Sequence, residues 1–201
     1  MKRIISVIIA LSLILFAFAS CGGSADNKEV TGSGGSVLVK FTMEDGKTFT
    51  MEVYPNYAPE TVVNFLSLVN TGAYDGTTFH RVINGFMAQG GAFLPDGTQK
   101  TSQKIKGEMP NNGFAQNTLK HERGVVSMAR ISGDYDSASN QFFICYDTVE
   151  YLDGEYAAFG RVIDGMDTID SFLEIERTIG SDRQLSKPVT PIVIEKAEVL
   201  K

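Results

Sequence analysis

Between Phe79 and Gly91 (FHRVINGFMAQGG) one arginine, Arg81, lies among Phe79, Val82, Ile83, Phe86 and Met87, with the neutral amide Gln89 eight positions on. Arginine keeps its proton in a protein and makes a poor general base. Against an apolar wall it is suited instead to donating hydrogen bonds to a neutral group whose electrons shift during reaction. An isolated arginine on a hairpin could equally lay its stem along the surface with its head in water. Other chemistries find less support. The only histidines, His80 and His121, show no known Ser-His-Asp hydrolase spacing, and GxSxG is absent. Asp134-Tyr135-Asp136 hints at a calcium loop, but Ala138 and a missing glycine break that pattern, leaving a solvated loop.

The elements that must position Arg81 follow from local pattern. Alternation predicts a strand with Phe79, Arg81 and Ile83 on one side and His80 and Val82 on the other. Asn84-Gly85 reads as a turn, and Phe86, Met87 and Gln89 follow on a second strand. Gly90-Gly91 lets the chain turn or approach another backbone closely. Upstream, Val37, Val39, Phe41 and Met43 alternate with polar residues, Asp45-Gly46 turns, and Phe49, Met51 and Val53 resume the apolar face. Pro59-Glu60 opens a helix with the stripe Val62, Phe65, Leu66 and Val69, ended by Gly72. Phe93 to Gln116 is rich in loop residues; strands return over 124–129, 141–146 and 159–163. A second short helical stripe holds Met166, Ile169, Phe172 and Leu173, and 189–199 forms the last strand, with Pro191 early in it. Many short strands and two helices predict an all-β, closed structure.

These motifs resemble the signature of the cyclophilin family of peptidyl-prolyl cis-trans isomerases. The resemblance rests on FHRVI, GFM and QGG in order, then on LKHERGVVSMAR (119–130), QFFI (141–144) and YLDGEYAAFGRVIDGMD (151–167). It covers roughly Val37 to the C-terminus, and the SMAR and SASNQFFI forms resemble the prokaryotic branch. It implies an eight-stranded antiparallel barrel with a helix capping each open end. It implies proline-containing polypeptides as partners, no cofactor and no metal. By the same resemblance Arg81 would donate to the prolyl nitrogen. Phe86, Met87, Phe143 and Leu152 would form the proline pocket, and Gln89 would fix the substrate carbonyl. Ala129 and Arg130 would offer backbone groups to the residue before proline, with Gln141 at the same rim. Tyr151 stands where many eukaryotic members carry tryptophan, and Tyr156 where a pocket histidine is frequent. Since that tryptophan helps bind cyclosporin in the family, weak inhibition is expected. The loop from Arg130 to Asn140 is a residue or two longer than is common there.

Composition agrees with one ordinary domain plus an extension: 201 residues, 43% hydrophobic and 21% charged. A net charge of −6 without a basic patch argues against nucleic-acid binding. A monomer is expected. Met1-Lys2-Arg3 followed by the apolar run from Ile4 to Ala19 reads as a signal peptide over residues 1–20. Ala19-Ser20-Cys21-Gly22 resembles a bacterial lipobox, with Phe18 where leucine is usual. The expectation is a lipid-anchored, extracytoplasmic lipoprotein modified at Cys21. Ordinary cleavage after Ala17-Phe18-Ala19, giving a secreted protein, is the alternative. Residues 21–36, Gly/Ser-rich beyond the cysteine, read as a flexible tether, and the isomerase domain spans 37–201. Cys145, inside QFFICY, reads as a small buried hydrophobe. Two rival classes remain: a barrel that binds proline segments without catalysis, and a hydrolase.

Overall fold

The computed structural model describes residues 35–200. The leader, Cys21 and nearly all of the tether lie outside the described residues. The elements in order are β1 (Val37–Met43), β2 (Thr48–Val53), α1 (Pro59–Asn70), β3 (Thr78–Ile83), β4 (Met87–Phe93), β5 (Val125–Met128), β6 (Phe142–Cys145), β7 (Ala158–Asp164), α2 (Met166–Ser171), β8 (Arg177–Ile179), β9 (Leu185–Pro188) and β10 (Ile192–Val199). Eight strands close a barrel in the order β1-β10-β3-β4-β6-β5-β7-β2, with antiparallel pairing throughout. Strands β8 and β9 form a separate hairpin, which the sequence pattern did not reveal. Pro191 lies just before β10 rather than inside it.

The inward faces of the strands fill the barrel with aromatic rings. Phe41 stacks on Phe49 with centroids 4.8 Å apart, and Phe142 meets Phe79 edge to face at 5.8 Å. Helix α1 caps the interior with its predicted stripe: Val62, Phe65, Leu66 and Val69 are all buried, and Phe65 lies 4.9 Å from Phe159. Pro59 occupies its first turn, where a missing N–H costs nothing. Ala58 supplies no side-chain cap. The free N–H groups of Glu60 and Thr61 donate instead to the Glu108 carboxylate, at 3.0 and 2.8 Å. That anion also faces the positive end of the helix dipole. Helix α2 and the 3-10 turn after it, Phe172–Glu174, cap the barrel with Ile169 and Phe172, the latter 5.0 Å from Phe79.

Two local features aim the site. Gly90 and Gly91 sit where backbone crosses backbone: a Cβ at Gly90 would come 2.9 Å from the Thr78 carbonyl, and one at Gly91 2.7 Å from that of Asn140. Gly91 also holds φ near +95°, a conformation open mainly to glycine. On β3, Phe79 pairs with Gly90 and Arg81 with Gln89, so His80 is an extra residue, a β-bulge. The expected alternation is therefore corrected. Phe79 and Val82 both enter the barrel core, while Arg81 and Ile83 stand outside it. One inserted residue shifts a period-two pattern by one step.

Candidate active site

Outside the barrel wall β4, β6 and the segment after β6 build a second, smaller apolar cluster. Met87, Phe143, Cys145, Val149 and Leu152 are its buried members, with Ile83, Phe86, Ala129 and Tyr156 half-buried against it. Register explains the grouping: Met87 pairs with Cys145 and Gln89 with Phe143, so alternate residues of both strands face the same side. Phe143 meets Tyr156 edge to face at 5.7 Å, and Tyr151, 70% exposed, lies 6.1 Å from Phe86. Burial pushes the Cys145 thiol up to about 12, so it is an inert apolar filler here.

Arg81 borders this cluster. Its guanidinium carbon lies 5.6 Å from the Phe86 ring centroid, and one terminal nitrogen lies 3.6 Å from Met87 Sδ. Its Nε donates to Asp182 Oδ2 at 2.6 Å. Asp182 comes from the turn of the β8–β9 hairpin. Partial burial works to raise that carboxyl's pKa; hydrogen bonds from Arg81, Ser186 and the Gln184 backbone outweigh it and hold the pKa below the usual range. On the rim Gln89 Nε2 donates to Gln141 Oε1 at 2.8 Å, and each amide keeps further N–H capacity. The Ala129 N–H is taken by the Gln141 carbonyl at 2.9 Å, so only its carbonyl is free to be offered.

Arg130 also contributes a side chain to the wall, a part that the resemblance, which concerned its backbone, did not include. Its side chain, 6% exposed, folds back between the rings of Tyr135 and Tyr156, 4.6 and 4.5 Å from their centroids. It also bonds Glu155 twice, Nε to the carbonyl at 2.9 Å and a terminal nitrogen to the carboxylate at 3.0 Å. The long loop is thereby tied to the pocket wall. Asp134 lies 3.4 Å from Lys104, and Asp136 accepts from the Gly107 N–H and from Asn112.

His121 stacks parallel to Phe143 at 6.0 Å, with Nδ1 3.0 Å from Asp153 Oδ1 and Nε2 3.1 Å from Ser127 Oγ. This is the order of a Ser-His-Asp arrangement, which the sequence spacing had not shown. Ser127 is 0% exposed, however, so no scissile carbonyl can reach it. Burial lowers the His121 pKa despite Asp153. His121 backs Phe143, and Asp153 and Ser127 hold the imidazole in place.

A cavity of about 590 Å³ adjoins Arg81. Arg81 and Gln89 line it together with His80, Phe93, Asp182 and Lys187. Arg81, Phe86, Met87, Gln89, Gln141, Phe143, Leu152 and Tyr156, which the resemblance implied for one site, lie in one neighbourhood. Sequence reasoning missed Asp182, because a three-residue strand such as β8 leaves too short a pattern to read.

Comparison with known proteins gives this geometry its context. Residues 38–199 match the family described as cyclophilin type peptidyl-prolyl cis-trans isomerase/CLD. The chain is 38% identical, over its whole length and 98% of the relative, to peptidyl-prolyl cis-trans isomerase A of Dickeya dadantii. It is 40% identical to peptidyl-prolyl cis-trans isomerase B of Escherichia coli, over 81% of this chain and 99% of that protein. Among solved structures, a Cryptosporidium parvum cyclophilin type isomerase superposes with a TM-score of 0.67 at 30% identity, covering 83% of this chain and 99% of that one. The same isomerase in the presence of the dipeptide Ala-Pro superposes with a TM-score of 0.66. The chain belongs to the cyclophilin-type peptidyl-prolyl cis-trans isomerases, and its activity is the rotation of X-Pro peptide bonds.

Proposed function

We propose that this isomerase acts on exported polypeptides outside the cytoplasm, anchored by a lipid on Cys21, and that Arg81 is its central catalytic group. An X-Pro bond rotates slowly because conjugation sets a barrier of about 18–20 kcal/mol. Twisting the bond returns electron density to the proline nitrogen. A catalyst must bind that twisted form better than either planar form. No covalent bond is broken, so a fixed cation and a dry pocket suffice.

Proline enters the hollow between Phe86, Met87, Phe143 and Leu152, with Tyr156 as a side wall and Tyr151 at the outer lip. A terminal N–H of Arg81 donates to the pyramidalising nitrogen. Gln89, steadied by Gln141, holds the substrate carbonyl, and the Ala129 carbonyl receives the preceding residue. One charge-assisted hydrogen bond is worth about 1.5–3 kcal/mol. At about 1.4 kcal/mol per decade this supplies one to two factors of ten. Desolvation and positioning by the pocket supply the remainder. The observation that supports this reading is the placement of Arg81 against Phe86 and Met87, outside the core but at the edge of the apolar cluster.

The test is isomerisation of a proline peptide, followed by NMR exchange, for the wild type and Arg81→Ala. A loss of ten- to a hundredfold in kcat/KM, with peptide binding retained, is expected. Unchanged catalysis would remove Arg81 from the mechanism. The extracytoplasmic anchor rests on the N-terminal sequence: a basic start, an apolar run and a cysteine before Gly22-Gly23. Mass spectrometry of the mature N-terminus tests it, since a diacylglyceryl mass on Cys21 is expected and an unmodified N-terminus at Ser20 refutes the anchor.

A further inference from the structure

The hairpin β8–β9 belongs to neither the barrel nor the apolar pocket, yet among the described residues it supplies the carboxylate bonded to Arg81. Asp182 is held in a fixed attitude by its own turn. Its Oδ1 accepts from Ser186 Oγ at 2.8 Å and from the Gln184 N–H at 3.0 Å. The turn is closed by Gly180 N–H to the Gln184 carbonyl at 2.9 Å, with Arg183 at φ 61°. The other oxygen is thereby aimed at Arg81 Nε. The two side chains are 25% and 20% exposed, so water competes only in part.

The choice of nitrogen matters. Nε is on the stem side of the guanidinium, and a bond there fixes the rotation of the plane. One terminal nitrogen stays against Met87 Sδ, and the guanidinium carbon lies over Phe86. Arginine is rich in rotamers, and a free Arg81 could swing within the 590 Å³ cavity that it lines. We propose that Asp182 is a positioning residue for the isomerase reaction: bonded to Arg81 Nε, it keeps the terminal N–H groups directed at the prolyl site. This rests on the reading of Arg81 as the donor. Asp182 touches no substrate. It acts through Arg81, and the charge it neutralises lies on the edge that does not serve the reaction.

A double-mutant cycle on the purified full-length protein in detergent tests it. Asp182→Ala is expected to lower kcat about 10-fold with KM within twofold, short of the about 100-fold that a misplacement of 1 Å can cost. Asp182→Asn keeps an acceptor in the same place and should recover most of that loss. In an Arg81→Ala background, Asp182→Ala should change nothing further. An equal loss in both backgrounds, or no loss in the wild-type background, overturns the inference. If Asp182→Ala does not fold, the Arg81 Nε–H resonance decides: Asp182→Asn should shift it upfield, and an unmoved resonance overturns the inference. Full activity in Arg81→Ala alone would instead defeat the Arg81 reading, a result distinct from failure at Asp182.

Discussion

Replacing Arg130 by methionine should loosen the pocket through its side wall, Tyr156, while leaving Phe86, Met87, Phe143 and Leu152 in place. Methionine keeps an apolar stem of similar length, so the buried volume changes little. What is lost is the cation between two tyrosine rings, at 4.6 and 4.5 Å, and the two bonds to Glu155. Each stacking contact is worth about 1 kcal/mol at this degree of burial. The bonds to Glu155 are offset by the cost of drying a guanidinium that is 6% exposed. The net loss is about 2 kcal/mol, or a factor of about 30 in the folding equilibrium. Urea unfolding should show a lower midpoint at unchanged slope, and KM for a proline peptide should rise more than kcat falls, because Tyr156 is a wall and not a donor. Arg130→Lys keeps the charge but not the planar stack and should recover less than half of the loss. A stability change below about 0.5 kcal/mol with unchanged KM would refute the clamp, since exposed substitutions alone reach that size.

Two further outcomes follow from the pocket and from the histidines. Burial lowers the His80 pKa to about 4 against 6.5 in the unfolded chain, so the unfolded state binds the extra proton between those values. Stability should be complete above pH 6.5 and fall by on the order of 3 kcal/mol as pH drops through 4, with His121 acting in the same direction. Equilibrium unfolding across pH 4–7 checks this, and His80→Gln should flatten the slope; an unaltered slope would exclude His80 as its source. Cyclosporin should inhibit weakly, and Tyr151→Trp should tighten it several-fold in an inhibition titration, because Tyr151 is the exposed lip beside Phe86; a nanomolar inhibition constant for the unaltered protein would contradict the expectation.

Much of the site was legible because it lies in short, locally patterned stretches. Phe86, Met87 and Gln89 follow one turn, and Gln141 and Phe143 share one strand approach, but it was the resemblance of these motifs to a known family that implied they meet. The stripe on α1 and the alternation of β1 and β2 were equally plain. Face assignment on β3 was not. The bulge at His80 leaves no mark in residue type, since it arises from how β3 and β4 pair and not from either strand alone. The N-terminal cap of α1 was hidden for a related reason: Glu108 lies in a loop, 48 residues from the N–H of Glu60.

The amino-acid sequence by itself determined that a permanent cation, an amide and the aromatic side chains of one short stretch would stand near one another, and that the chain would close on itself as strands. Those are consequences of residue chemistry and short-range period, which need no partner to be read. Tertiary structure decided the direction in which the cation points, the carboxylate that holds it from a separate hairpin, and the fold of Arg130 onto Tyr156. Each of these depends on groups far apart in the chain meeting at a few ångströms, and no local spacing encodes such a meeting.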